Sequence, residues 1–147
     1  MHHERHDGGI LVTTDPTRLD LDAIHDVLAG SSYWATGIPR EVMERSIRHS
    51  ICFGAFDGGR QVGFARVVTD RATFAYLADV FVIEEQRGRG LAAWLTATVL
   101  AHPELQGLRR WLLVTRDAHG LYRKLGFTAV ADPSMLLTRH DPDIYTR

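Results

Sequence analysis

The stretch at residues 79–95, DVFVIEEQRGRGLAAWL, decides the fold that this sequence predicts. It begins with a β-forming run at 80–83, bends at 84–86, and continues as a helix whose apolar residues recur at helical spacing. A strand, a glycine-containing turn and a helix N-terminus in this order form an anion site, because the N–H groups of the first helical turn have no intrahelical partner. Gly88 and Gly90 let a bulky anion approach the backbone without a Cβ in the way.

The same turn carries Arg87 and Arg89, which would add positive charge to an anion site. The alternative interpretation is an ordinary strand-to-helix turn with two exposed arginines, since a short glycine motif is weak evidence by itself. Two other phosphate-binding loops are excluded. A nucleoside-triphosphate loop needs Gly-Lys-Ser/Thr, and a dinucleotide fold needs a third glycine and an acidic residue that closes a later strand. The sequence has neither pattern at this place.

Two motifs give the sequence a family resemblance. Arg87-x-x-Gly90-x-Ala92 resembles the Arg/Gln-x-x-Gly-x-Gly/Ala signature of the GCN5-related N-acetyltransferases, the GNAT superfamily. A second stretch is similar to another GNAT motif, and it reads Ala118-x-x-Leu121-Tyr122-x-Lys124-x-Gly126-Phe127. The resemblance extends over residues 51–127. Thr115 stands where the family often has asparagine, so Thr115 or Asp117 would replace that contact to the cofactor arm.

The resemblance implies a binding site for acetyl-coenzyme A as cosubstrate. In the family, the glycine turn binds the pyrophosphate, and the thioester arm lies between two splayed parallel strands, beside backbone N–H groups that polarise its carbonyl. The implied cofactor-binding residues are Val80, Phe81, Val82, Arg87, Gly88, Arg89, Gly90, Leu91, Ala92, Thr115, Asp117, His119 and Tyr122. For His119, a merely solvated side chain is the alternative.

Acetyl transfer to an amine needs a base for the amine and an acid for the leaving thiolate. Tyr122 is the candidate acid, because a phenol with a pKa of about 10 stays protonated at neutral pH. The alternative is a packing residue on a short helix. Asp79 lies in an apolar strand, where an unpaired carboxylate is costly. It would act as the base, bind a cationic acceptor, or pair with a core arginine such as Arg66.

Tyr33 and Trp34 lie in an irregular segment, residues 31–38, between two predicted helices. They would pack over the edge of the core or, as this loop often does in the family, form a wall of the acceptor pocket. Together with Asp79 they indicate a substrate-binding pocket for a compact cationic group. We therefore predict an N-acetyltransferase that transfers acetyl directly, within a ternary complex, to a primary amine of a small molecule or a peptide.

Two other functions fit the same residues. One is a non-catalytic acyl-coenzyme A-binding module that senses the cofactor or regulates a partner and needs no acid. The other is a structural subunit whose edge strand, at residues 135–138, pairs with a second copy. A homodimer is compatible with catalysis, so this third function does not exclude the first.

Composition limits the class of protein. The chain has 147 residues, which fits one domain, and a net charge of −1, which argues against a nucleic-acid or membrane partner held by bulk electrostatics. The single cysteine, Cys52, excludes an internal disulfide and is predicted to be a small buried hydrophobe. The histidines at 2, 3 and 6 have no further ligand nearby, so no metal is predicted. Without a visible signal peptide or membrane-spanning run, we expect a cytoplasmic protein.

The predicted element order is β-α-α-β-β-β-α-β-α-β-β, which is α+β with a mixed, mostly antiparallel central sheet flanked by helices. It is also the GNAT order. Residues 1–9 are predicted to be a disordered lead before a single domain at 10–147. The strands are predicted at 10–14, 51–56, 61–69, 74–83, 110–114, 127–130 and 135–138, and the helices at 20–29, 39–49, 89–101 and 118–125.

Overall fold

A computed structural model describes residues 2–147 and confirms the α+β class. Six strands form one sheet in chain order, and every neighbouring pair is antiparallel except the last, which is parallel. The strands are β1 (Glu4–Asp7), β2 (Ile10–Thr13), β3 (Ile51–Asp57), β4 (Arg60–Thr69), β5 (Phe74–Val82) and β6 (Arg110–Leu113). The helices are α1 (Leu21–Gly30), α2 (Arg40–Arg48), α3 (Leu91–Leu100) and α4 (His119–Arg123).

Helices cover both faces of the sheet. The α3 helix is apolar on nearly all sides, and its Leu95 and Val99 are fully buried against one face, as expected for a helix in the interior of a domain. The α1 and α2 helices pack on the opposite face, where Ile24 and Met43 contact a second apolar cluster around Phe64. The two central strands, β3 and β4, are therefore buried on both sides.

The β5 strand contains a bulge beside its paired neighbour β4. Phe64 pairs with Phe81, and Arg66 pairs with Ala78, so two residues of β5 stand opposite one residue of β4. These two residues are Asp79 and Val80, which stand opposite Ala65, and Asp79 has a φ of 55°, in the left-handed region. A bulge redirects side chains and leaves its extra residue without a ladder partner.

The parallel pair β5–β6 separates beyond a short paired region. Pairing runs from Phe74 with Arg110 to Leu77 with Leu113 and then ends, whereas β5 continues to Val82. The bulge at Asp79 begins two residues after the last pair. The two strands therefore diverge at their carboxyl ends, and the backbone of β5 beyond Leu77 has no partner strand on that side.

Two predictions about local structure are wrong. Residues 4–7 are not disordered but form the edge strand β1, since an edge strand needs only the backbone of β2 as its partner, and Thr13 Oγ1 also donates to Glu4 at 2.9 Å. Residues 127–130 and 135–138 do not form strands. Pro133–Met135 adopts a 3₁₀ turn that Asp132 caps by accepting from the Ser134 N–H, so the chain bends where the second of these strands was predicted to begin.

None of the helices in residues 2–147 is long and apolar enough to cross a membrane. No group of three or more histidine, cysteine, aspartate or glutamate side chains in the same part of the chain could hold a metal ion.

Candidate active site

The turn between β5 and α3 presents a row of free backbone donors. The first hydrogen bond of α3 runs from the Trp94 N–H to the Gly90 carbonyl, and the N–H groups of residues 88–93 have no acceptor within residues 2–147. Gly88 and Gly90 have φ values of 79° and 77°, and a Cβ added to either would meet no atom within 4 Å. Six consecutive donors are therefore unpaired at a helix N-terminus, and the two glycines leave open space beside them, which suits a diphosphate.

The two arginines of this turn differ in their contacts. Arg87 Nε donates to the Val82 carbonyl at 3.0 Å, so this side chain ties the turn to the end of β5. Arg89 is exposed beside the free donors. One arginine thus has a structural contact that the sequence did not indicate, and the other is available to an anion.

Asp79, which lies just beyond the last residue pair of β5 and β6, forms an ion pair. Arg66 Nε donates to its Oδ2 at 2.7 Å, and the two side chains are only 18% and 10% exposed. Trp34 Nε1 donates to Oδ1 at 2.8 Å, and Arg66 also donates to Ser50 Oγ at 3.1 Å. The pairing with Arg66, one of three roles predicted for Asp79, is confirmed. Both carboxylate oxygens are occupied, so Asp79 also fixes Trp34.

Tyr122 combines a buried ring with a free hydroxyl. The residue is 8% exposed, and its ring packs edge-to-face on Phe127 with centroids 5.8 Å apart. Its hydroxyl has no hydrogen-bond partner in the described chain, and the residue lines a cavity of about 550 Å³ together with His119 and Thr115. Burial, and to a lesser degree the nearby Tyr33, raise the pKa of the Tyr122 phenol, which keeps it protonated.

Tyr33 joins the loop before α2 to the loop after β6. Its hydroxyl accepts a hydrogen bond from the Arg116 N–H at 2.9 Å, and the Arg116 guanidinium lies 3.9 Å from the centre of the Tyr33 ring. The ring of Trp34 packs edge-to-face on Tyr33. The structure therefore brings Tyr33, Trp34 and Asp79 together, as the sequence predicted, with Tyr33 also near Tyr122.

The remaining predicted residues lie at the start of α4. Thr115 Oγ1 accepts from the Ala118 N–H at 3.0 Å, so its oxygen supports the helix start. Asp117 and His119 are exposed, and His119 lines the cavity. Arg116 and Ser50 were not predicted as site residues from the sequence. Arg116 stands between two residues of the predicted site, but nothing in the sequence connects it with Tyr33, which lies 83 positions earlier.

Comparison with known proteins points to one family. The profile of the acetyltransferase (GNAT) family matches residues 21–127. A protein of Gibberella zeae that is described as an acetyltransferase is 34% identical over 139 residues, which cover 80% of this chain and 77% of that protein.

Solved structures give the same result. A crystal structure from Xanthomonas campestris pv. campestris, described as an acetyltransferase of the GNAT family, superposes with a TM-score of 0.92 at 50% identity and covers 99% of this chain and 100% of that one. A GNAT family protein of Streptococcus pneumoniae has a TM-score of 0.66 at 21% identity over 96% of each chain, which supports the fold alone.

Proposed function

The chain belongs to the acetyltransferase (GNAT) family, and on this premise we propose that it transfers acetyl from acetyl-coenzyme A to a primary amine of a small molecule or a peptide, directly and within a ternary complex. The observation that supports the proposal best is the divergence of β5 from β6 at their carboxyl ends. The free N–H donors of residues 88–93 lie on one side of this divergence, and the buried Tyr122 lies on the other. Residues 10–147 would act as one catalytic domain, because both motifs are attached to the same sheet.

The binding part of the proposal rests on backbone groups. The N–H groups of residues 88–93 would hold the diphosphate, with Arg89 adding charge at the surface. The backbone of Val80, Phe81 and Val82, which no strand pairs on the side of β6, would bond the amides of the pantetheine arm as a strand does. When bound, the cosubstrate supplies an activated thioester.

The chemical part of the proposal assigns the proton that the leaving group needs. The amine nitrogen forms a bond to the acyl carbon, the carbon–sulfur bond breaks, and Tyr122 donates its phenolic proton to the departing sulfur. Residues of the bulge at Asp79–Val80 lack a ladder partner, so an N–H there is available to the developing oxyanion. Tyr122 regains its proton from solvent.

The proton of the amine has a different path. Asp79 would have to break its ion pair with Arg66 to act as a base, which is costly for side chains this buried. We propose instead that water accepts the amine proton, and that Asp79 holds Trp34 in place as a wall of the acceptor pocket.

Tyr122→Phe tests the proposal, because it removes one hydroxyl and keeps the packed ring. In an amine-panel assay that follows thiol release, we expect kcat to fall by roughly 100-fold or more, the usual size of general acid catalysis, with the Kd for coenzyme A nearly unchanged. Tyr145→Phe, the same change in a tyrosine of the other apolar cluster, serves as the control and should keep its kcat.

Two results would contradict the proposal in different ways. Full turnover in Tyr122→Phe would remove Tyr122 as the acid. Binding of coenzyme A by the unmodified protein, without thiol release for any amine of the panel, would favour the non-catalytic binding module.

A further inference from the structure

One face of the sheet is covered by helices at one end only. The α1 and α2 helices pack over the Phe64 end of this face. At the other end, Val68 of β4 pairs with Tyr76 of β5, which pairs with Leu112 of β6, so the three side chains lie in one row across the same face. Phe74 follows two residues before Tyr76. Val68 and Phe74 are 42% and 37% exposed, and the other two are half-buried.

We call these four residues (Val68, Phe74, Tyr76 and Leu112) the open face. Scattered exposed apolar residues are ordinary, but a contiguous apolar patch on a sheet marks a surface that binds something. No helix of residues 2–147 covers the row, and its members come from three neighbouring strands. The open face is therefore a continuous apolar surface and not a set of isolated side chains.

The open face begins beside the residues that would hold the acceptor. Burial raises the pKa of the Tyr76 phenol, the nearby Asp79 raises it further, Arg66 lowers it, and Tyr33 raises it. These influences place the Tyr76 side chain next to the ion pair and the Tyr33 ring. Tyr76 stands three residues before Asp79 on β5, a distance of about 10 Å along an extended strand. An apolar surface thus continues from the proposed acceptor wall along the sheet.

The charges around the open face disfavour a second ammonium group on the acceptor. Two carboxylates border the face, and both are already bonded. The oxygens of Asp79 accept from Arg66 and Trp34, and Asp70 accepts four hydrogen bonds from the turn that precedes β5. Arg110, which pairs with the first residue of β5, is exposed and makes no ion pair within residues 2–147. A second cation would therefore lie on an apolar surface near an arginine, which is costly.

We propose that the acceptor is an amine on an elongated apolar body, an alkyl or arylalkyl chain, which lies along the open face while its nitrogen reaches the bulge at Asp79. Tyr76 contacts this body and determines specificity for it. This assignment rests on the proposed acetyl transfer to a primary amine and names the class of that amine. A chain of this kind removes apolar surface from water on both partners, whereas a polyamine does not.

A series of primary n-alkylamines tests the proposal by binding alone. Calorimetry with the unmodified protein in the presence of coenzyme A measures the Kd from propylamine to octylamine. A fully buried methylene strengthens binding about fourfold, and a chain that lies on an open face buries about half of its surface, so we expect roughly twofold per methylene and roughly 30-fold over the series. Octane-1,8-diamine has the same chain with a second ammonium, and it should bind at least ~10-fold more weakly than octylamine.

Two variants of the open face locate the chain. Val68→Gln keeps the length of an exposed side chain but replaces its methyl groups by an amide, so the gain from propylamine to octylamine should fall below roughly fivefold. Tyr76→Ser should raise the KM for octylamine more than it changes kcat. Ile144→Gln, the same kind of change at an exposed apolar residue outside the sheet, is the matched control and should keep the whole gain. Urea unfolding confirms that each variant is folded.

The outcomes separate this inference from the proposed reaction. Affinity that does not depend on chain length, equal binding of octylamine and the diamine, or a full gain retained in Val68→Gln would each overturn the apolar acceptor. A chain-length gain that is lost in Val68→Gln, without thiol release for any amine, would support the open face as a binding surface and contradict acetyl transfer.

Discussion

Replacing Asp79 by asparagine removes the ion pair with Arg66 and keeps the size of the side chain. Asparagine tolerates the left-handed backbone at this position, where φ is 55°, and keeps an oxygen that accepts from Trp34. What it removes is the negative charge 2.7 Å from Arg66 Nε, and the amide NH₂ that takes the place of Oδ2 cannot accept the hydrogen bond from Arg66. With side-chain exposures of 10% and 18%, solvent replaces little of that interaction.

The expected loss in the free energy of unfolding follows from the kind of contact that is removed. A hydrogen bond to a charged group contributes about 1.5–3 kcal/mol, so we expect Asp79→Asn to lower the free energy of unfolding by about 2 kcal/mol. Asp79→Ala leaves the Arg66 charge buried with Ser50 as its remaining partner and places an ordinary Cβ in the left-handed region. For this variant we expect a loss of about 4 kcal/mol.

Urea unfolding followed by tryptophan fluorescence measures both losses, and a double-mutant cycle with Arg66→Met measures the coupling. The coupling between Asp79→Ala and Arg66→Met should be about 2 kcal/mol, because the double variant leaves no unpaired charge. Asp22→Asn is the matched control, since Asp22 also contacts an arginine, Arg40, at 2.7 Å but in solvent. If Asp79→Asn lost no more stability than this control, or if the two site variants were additive, the ion pair would not stabilise the bulge.

Four shorter predictions concern the site. Gly90→Asp forces a side chain into a φ of 77° and puts a negative charge beside the free N–H donors, so calorimetry should show at least a ~10-fold weaker affinity for coenzyme A; unchanged binding would exclude the anion site. Trp34→Ala should raise the KM for the acceptor more than it changes kcat, and an unaltered KM in steady-state kinetics would remove Trp34 from the pocket. Burial raises the pKa of Cys52 to about 12, so a thiol reagent at pH 8 should label it only after unfolding, and rapid labelling of the native protein would contradict its burial. The active Tyr122 is the protonated form and burial raises its pKa, so kcat should decline on the alkaline side only above the ordinary phenol value of about 10, and a Tyr122-dependent decline at lower pH would contradict this.

Sequence periodicity predicted the four helices and the strands β2 to β6 closely, because these elements bury an apolar stripe or face that the spacing of residues displays. Asp20 is an example, since it accepts from the Ala23 N–H as the predicted cap of α1. Strand propensity alone failed at 127–130 and 135–138, because a strand forms only where its backbone pairs with a neighbour, and β6 pairs with β5 alone while a capped 3₁₀ turn bends the chain at Pro133–Met135. The edge strand β1 was missed for the opposite reason: backbone pairing holds a charged segment that propensity disfavours.

The parts of the candidate site that consist of backbone groups could be predicted from the sequence. The parts that depend on contacts between distant residues could not. The glycine turn and its free N–H groups follow from a strand, a turn and a helix in sequence. The bulge at Asp79 does not, because an aspartate in an apolar run fits a base, a ligand contact or an ion pair equally well until Arg66 is located beside it. The contact of Tyr33 with Arg116 had no local sequence signal at all.

That contact between Tyr33 and Arg116 has a thermodynamic consequence. It links the loop that carries the proposed acceptor wall to the loop that borders the proposed cosubstrate arm. A compound that orders either loop also restrains the other, so the second compound to arrive loses less conformational entropy. We expect the two substrates to bind with positive cooperativity, and the factor by which each tightens the other must be the same in both directions.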